Sequence, residues 1–443
     1  MTHPARVMRV GALTTAFAVL VALAGCSSNG SSPSSGSIPT LDPKTKVTLT
    51  FDIQTADPKT NSPQVYAAVK EFEKENPNIT VKLTGEPTDT HTQKMQLAGQ
   101  TDTLPDMFWI LDSDARQLNK AGKLVNVKPI LDAANLTSRY PATTVKGFTD
   151  DGKTYGQPSS QLVTGIWFNK KILADNGLKV PVTFDDLLNV VKVLHAKGIT
   201  TISNGSNQAS FACWSFLRDL SNFGWDQKVK GLLAGTTKYN NPDFKKLYEH
   251  IDELRKAGAF ADNVATTTYD QIVSRFTSGQ AAMVDGGLWM AAPIQASSIA
   301  PDAGFWIGPE FSDGVGDQKV SMSVPAAPWA YSAKSAKDPN KYAAIAKWVE
   351  FWAGQAAAQT QVDGALPPST TWDVKIPESQ SVFKTGLAAA FAPGTHAPAN
   401  QPDLMVPTAV GTAMYDSIYG VIEGQFTPNE AMDHVQQALD QAQ

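Results

Sequence analysis

Cysteine is almost missing from this chain of 443 residues: only Cys26 and Cys213 occur. A disulfide framework is thereby excluded as the source of stability. Histidine is sparse as well, six in all and scattered. None falls in an HExxH pattern, and no GxSxG turn, phosphate loop or GxGxxG fingerprint occurs. No cluster of His, Tyr or carboxylates has metal-ligand spacing, so neither a metal nor a cofactor is expected. Basic residues are outnumbered, 37 Lys and Arg against 42 Asp and Glu, for a formal net charge of −5. With no basic stripe or arginine-rich helix, nucleic acid is excluded as a ligand. Long apolar runs are missing beyond one near the N-terminus, so no later segment is expected to span a membrane. Asp150-Asp151 and Asp185-Asp186 are adjacent acids. Sequence neighbours rarely aim at one bond, and the second pair sits in a helix's first turn, where acids favour the dipole. The chain is read as a non-enzyme.

The first 26 residues are read as an export signal. Arg6 and Arg9 supply a positive start, and Gly11 to Gly25 (GALTTAFAVLVALAG) carries no charge. That run is shorter than the roughly 20 apolar residues a spanning helix needs, and it suits a cleaved signal peptide. It ends in Leu23-Ala24-Gly25-Cys26, which resembles the lipobox of bacterial lipoproteins. The resemblance implies that residues 1–25 are removed and that Cys26 becomes a lipid-modified N-terminus. Residues 26–41 then form a tether, since Ser27 to Pro39 (SSNGSSPSSGSIP) is uncharged, Ser/Gly/Pro-rich and unable to bury apolar area. Cys213 is the cysteine that remains, and it is read as a small buried hydrophobe.

About 400 residues follow the tether, too many for one small core, so two lobes are expected. At 42% hydrophobic and 18% charged the composition is globular. Val47, Leu49, Phe51 and Ile53 alternate, which is strand periodicity. Ser62-Pro63 opens a helix bearing Val65, Ala68, Val69 and Phe72, and Asn76-Pro77 stops it. Ile79 to Leu83 is a second strand, His91 to Ala98 a helix, and Met107 to Leu111 a third strand. This rhythm predicts an α/β fold with parallel strands. A second α/β unit follows, with Thr154 to Pro158 and Gly165 to Asn169 extended. Thr183 to Asp186 reads as a capping box, Gly198 as a helix stop and Ile199 to Ile202 as a strand. Thr427-Pro428-Asn429-Glu430 caps the last helix.

Several segments together resemble the family 1 extracellular solute-binding proteins, the group that includes maltose-binding protein. Phe72 to Val81 (FEKENPNITV) is similar to that family's FEKENPNIKV segment, and Leu104 to Trp109 (LPDMFW) to its aPDvfw strand. Asp151 to Pro158 (DGKTYGQP) resembles dGKlYGlP, and Trp167 to Lys171 (WFNKK) resembles yYNKdl. Phe276 to Trp289 (FTSGQAAMVDGGLW) resembles F.sGkaAM..dGpW, and Asp363 to Pro367 (DGALP) resembles gg.lP. The ordered set covers nearly the whole chain after the tether. It implies a two-lobed clamshell, each lobe a mainly parallel sheet flanked by helices. Lobe I would be residues 42–157 and 327–385, and lobe II residues 158–326 and 386–443. The implied role is the extracellular, lipid-anchored binding component of an ABC importer. It would act as a monomer that delivers a carbohydrate to a permease driven by cytoplasmic ATPases.

A sugar offers C–H faces to aromatic rings and hydroxyls to planar polar groups. The chain has ten tryptophans. In open α/β sheets ligands bind beyond the carboxyl ends of strands. That rule draws attention to Gln54, Thr55 and Asp57 after the first strand, and to Trp109 and Asp112 at the third. The resemblance adds Ser160, Gln161, Gln208, Asp285, Gly287, Trp289 and Trp329. Leu162 and Ala209 stand where the maltose-binding relatives carry ligand-binding acids, and a late aromatic is missing near Pro407, so the resemblance does not extend to maltose itself. Trp348 and Trp352, on one helical face with Ile345, are read as core. Polyols, polyamines and amino-acid derivatives are the alternative solutes. A secreted glycan-active enzyme stays a lesser alternative, because paired carboxylates distant in sequence leave no motif.

Overall fold

The structure is a computed structural model and describes residues 38–206, 213–398 and 401–442. The described residues from 38 onward form one compact unit. Its strands, in chain order, are β1 (Val47–Ile53), β2 (Ile79–Gly85), β3 (Met107–Trp109), β4 (Thr149–Asp150), β5 (Lys153–Thr154), β6 (Gln157–Pro158), β7 (Gln161–Asn169), β8 (Thr200–Ser203), β9 (Ala281–Gly287), β10 (Ala303–Trp306), β11 (Ser323–Pro325) and β12 (Pro328–Tyr331).

The first sheet has the order β2-β1-β3-β12-β6. Its opening three strands lie close to where alternation puts them. β1 is parallel to both β2 and β3, as the strand–helix–strand rhythm requires. β12 runs antiparallel to β3 and β6, because it belongs to a segment returning from elsewhere in the chain. Alternate side chains of β1 point to opposite faces. Leu49, Phe51 and Ile53 pack with Phe72 of helix Pro63–Glu75 and with Trp348 and Trp352 of helix Pro339–Trp352. The other face buries Phe108 and Ala330 against Met95 of helix Thr88–Thr101 and Ala115 of helix Asp112–Lys120. Asp106, the acid of the LPDMFW motif, ties this half together. It accepts from Thr50 N at 2.8 Å and from Lys341 Nζ at 2.8 Å.

The second sheet has the order β10-β7-β9-β8, with β11 also paired to β7. Only β8 and β9 run parallel there, and the long β7 is antiparallel to each of its three neighbours. One face carries helices Phe184–His195, Trp214–Asn222, Pro242–Lys256, Thr408–Ile422 and Pro428–Ala442. The other packs Trp167 and Phe305 against helices Tyr269–Thr277 and Ser381–Ala390. Each half is thus a three-layer α/β/α body with its own core. The capping box at Thr183–Asp186 forms as the sequence predicts, and Cys213 is fully buried.

Three chain segments join the halves side by side. β6 runs into β7 through Ser159-Ser160, and β11 runs into β12 through Ala326-Ala327. These two crossings are laced together: Ala326 N donates to Ser160 O at 2.9 Å and Ser159 Oγ to Ala327 O at 2.7 Å. The third passes from Trp372, whose Nε1 donates to Ala353 O in the first half at 2.8 Å, to Val382, which packs in the second, and before it Gln161 N donates to Pro367 O at 2.9 Å. Elsewhere the halves touch through Thr408 Oγ1, which donates to Ser113 Oγ at 2.6 Å.

Candidate functional site

The strand registers draw five of the expected residues into one band. Trp109 of β3 lies opposite Trp329 of β12, which lies opposite Gln157 of β6. Ser160 and Gln161 follow on the crossing, and three residues on, Thr164 pairs with Gly287 of β9. Gln54 and Thr55 are partly exposed just past β1, and Asp57 is exposed with a left-handed backbone at φ 47°. Gln208, with Asn207 and Ala209 beside it, lies outside the described residues, as do Cys26 and residues 1–37.

The second half supplies the most accessible of the expected tryptophans. Trp289 sits in a short turn after β9 and is partly exposed. Its Nε1 donates to Tyr269 Oη at 2.6 Å, and Trp214 meets it edge-to-face with centroids 4.9 Å apart. Edge-to-face pairs hold aromatic rings in place while leaving a face for a third partner. Gly287 is needed for this arrangement. A Cβ there would lie 2.0 Å from the Trp289 ring and 2.4 Å from Val163 O. The Tyr269 hydroxyl is pushed well above its usual range by burial, so it stays protonated and able to donate in turn. Tyr269 escaped the sequence reading, since only its place after Thr268, an N-cap, marks it.

The crossing contributes polar groups. Ser160 is nearly buried, and Gln161 Nε2 donates to Ser323 Oγ at 3.2 Å. Ser323 faces the pair through the β11–β7 ladder, a neighbour more than 160 residues away that no local pattern signals.

Three expected residues turn inward. Trp329 is 2% exposed and lies between Phe51 and Trp352, with centroids at 5.0 and 5.5 Å, so it is a core residue. Asp112 accepts from Tyr155 Oη at 2.6 Å and from Arg116 Nε at 2.9 Å. Burial raises its pKa, and Arg116 and Tyr155 oppose that rise. Asp285 is buried under the start of helix Trp214–Asn222, taking Ser215 Oγ at 2.7 Å and Ser215 N at 3.1 Å. Burial pushes its pKa up to about 7, against the bonds from Ser215. Both carboxylates are bonded within the protein. Trp109 is buried as well, 8% exposed, at the very end of its strand.

A small internal cavity beside Asp219 and Asp285 is walled by Phe184, Phe311 and other apolar groups. Asp219 is paired there with the buried Arg218. A closed salt bridge in a core does structural work and presents no nucleophile to solvent.

Comparison with known proteins agrees with this architecture. Residues 56–359 match the family described as bacterial extracellular solute-binding protein. The multiple sugar-binding protein of Streptococcus mutans is 24% identical over 274 residues, 58% of this chain and 63% of that protein. The melibiose/raffinose/stachyose-binding protein of Bacillus subtilis is 24% identical over 377 residues, 81% of this chain and 80% of that one. An ABC transporter extracellular-binding protein of Pyrococcus horikoshii matches at 25% over 234 residues, 51% of this chain. The chain spans 53% and 63% of the lengths of the Pyrococcus and Streptococcus relatives. Among solved structures, a chitin oligosaccharide binding protein superposes with a TM-score of 0.78 at 23% identity, covering 89% of this chain and 98% of that one. The two-lobed fold is shared with these structures, and the chain belongs to the bacterial extracellular solute-binding protein family.

Proposed function

We propose that this protein captures a carbohydrate, a di- or oligosaccharide, between its two halves and hands it to the membrane permease of an ABC importer. The observation that carries the reading is Trp289, a partly exposed ring braced by Tyr269 and Trp214 at the end of the band that holds Ser160 and Gln161. One ring face with amide and hydroxyl groups beside it is what a sugar asks of a protein. The names of the Streptococcus and Bacillus relatives support the same class. The lobes would be residues 42–157 with 327–375, and 158–326 with 381–443. The third boundary moves back from 385 because Val382 and Phe383 pack with Trp167 of the second sheet. Closure about the three crossings would bring Trp109, Gln54 and Thr55 to the opposite side of the ligand. Only contacts better made when closed can drive that motion. A Cys26 lipid and its tether would hold the clamshell at the outer face of the cytoplasmic membrane. The reading includes no catalytic step and no cofactor.

The inward commitment of Asp112 and Asp285 also weakens the polyamine alternative, which needs free acids. A thermal-shift screen tests the choice, with mono-, di- and oligosaccharides, polyols, polyamines and amino acids as the panel. A ligand that binds only the folded state stabilises it by about 2.7 kcal/mol at a hundredfold excess over Kd. A saturable shift from one oligosaccharide class is the expected outcome. Shifts from polyamines or amino acids alone would overturn the sugar.

A further inference from the structure

We infer that the first half carries a binding site for a first-row divalent cation, made by Asp52, Glu86 and His91. Sequence spacing gives no hint of it, because the ligands come from three separate segments: β1, the residue after β2, and the first turn of helix Thr88–Thr101. The inference is independent of the sugar reading.

The argument begins with the tautomer of His91. Its ring is wholly buried, and Nε2 lies 2.8 Å from Trp109 O. A carbonyl oxygen only accepts, so Nε2 carries a proton, and in the neutral ring that a metal requires, Nδ1 presents its lone pair. That lone pair faces Asp52 Oδ1 at 3.6 Å and Glu86 Oε2 at 3.7 Å. All three atoms are buried and none has a hydrogen-bond partner. Three acceptors thus converge with no donor among them, which costs free energy unless something positive sits between.

Lys94 does not fill that role. It is three residues from His91, on the same side of the helix, and its ammonium takes the outer oxygens, Asp52 Oδ2 and Glu86 Oε1, at 2.5 Å each. It fixes the two carboxylates with their other oxygens turned toward His91. Two carboxylates and one ammonium leave one net negative charge beside three lone pairs. Glycine makes the approach feasible. A Cβ on Gly85 would lie 2.4 Å from Thr55 O and 2.6 Å from Ile53 O, so only glycine lets the end of β2 close on β1 and carry Glu86 to Asp52.

The spacing suits a small ion. A tetrahedral centre holding nitrogen and oxygen at about 2.0–2.2 Å separates its ligands by about 3.4 Å, close to the distances from Nδ1, and the three ligand atoms lie within 4.8 Å of one another. One imidazole with two carboxylates favours zinc over magnesium or calcium, which prefer all-oxygen shells. The bond from Nε2 to Trp109 O is the outer support that metal-bound histidines usually have. An ion here would brace the backbone directly beneath the Trp109 ring.

The test uses the mature chain stripped with EDTA and dialysed, then titrated with Zn²⁺ by calorimetry and by thermal shift, with Mg²⁺ in parallel. One equivalent of Zn²⁺ with a saturable rise in melting temperature, and no such rise with Mg²⁺, is the expected result. Glu86→Gln keeps the size of a partly exposed side chain and should fold, and it should weaken Zn²⁺ by at least tenfold. His91→Gln should do the same, and Lys94→Met should weaken it by about 10–100-fold as an outer-shell change. Absence of saturable uptake would sink the site. Uptake that Glu86→Gln and His91→Gln both leave unchanged would place the ion elsewhere and sink it equally.

Discussion

Trp109 has an aspartate three residues after it, and Trp289 has one four residues before it; each pair closes a strand in its own half of the molecule. Both aspartates are buried and bonded inward, Asp112 to Tyr155 and Arg116, and Asp285 to Ser215. The rings differ. Trp109 shares the face of β3 that packs on helix Pro63–Glu75, and 8% of it is exposed. Trp289 has left its strand for a turn and stands partly clear, with its indole N–H already satisfied by Tyr269. What separates them is backbone position: a strand residue inherits the face its parity assigns, while a residue past the strand end can turn outward. A tryptophan–aspartate pair in the sequence therefore says little about which group meets a ligand.

The largest expected effect isolates the buried tryptophans from the accessible one. Trp329→Ala should cost about 3–5 kcal/mol of stability in denaturant unfolding, as large-to-small core changes do, whereas Trp289→Ala should cost clearly less. Equal losses would mean that the two rings are equally structural. A second test concerns the carboxylates. Burial holds the Asp285 pKa at about 7 in the folded state, against about 3.9 for a free aspartate, so between those values the folded state holds a proton that the unfolded chain has released. Its contribution is therefore fully present below about pH 4 and is lost as pH rises toward 7, at up to about 1.4 kcal/mol per pH unit. Asp285→Asn should flatten that slope in unfolding titrations; an unchanged slope would return the carboxylate to solvent. Third, Trp289→Ala should weaken oligosaccharide binding by about 1–3 kcal/mol, from the apolar area that stacking buries. Trp109→Ala should weaken it less, and equal losses in calorimetry would restore the symmetry of the two rims. The smallest effect is at the crossing. Gln161→Ala should cost about 0.5–1.5 kcal/mol of affinity, the net worth of one hydrogen bond, with the unfolding midpoint unmoved.

Much of the fold was legible because local rules governed it. Alternation placed β1 and β2, Thr183–Asp186 formed its capping box, and Ile345, Trp348 and Trp352 lie on one buried face. The helix after Ser62 begins as read, although the Ser62 hydroxyl bonds Thr55 Oγ1 and not the helix. Long-range pairing was not legible. Nothing in β7 announces that it would run antiparallel to β9, β10 and β11, and nothing in Asp285 names Ser215 as its partner 70 residues away. The site followed suit. Trp289 and Gly287 came from family likeness, while Tyr269, Ser323 and the Asp52–Glu86–His91 group depend on which segments meet in space.

The lacing of the crossings has a mechanical consequence. Two antiparallel segments that share hydrogen bonds at residues 159–160 and 326–327, with Pro367 bonded to the next residue along, form a short ribbon of three leaves. Such a ribbon flexes easily across its flat side and resists sliding or stretching in its plane. Relative movement of the halves, if they close as proposed, would then be reduced to nearly a single angle. A bound molecule of the wrong length would leave that angle unfinished, and a transporter that reads the angle would need no chemical knowledge of the cargo at all.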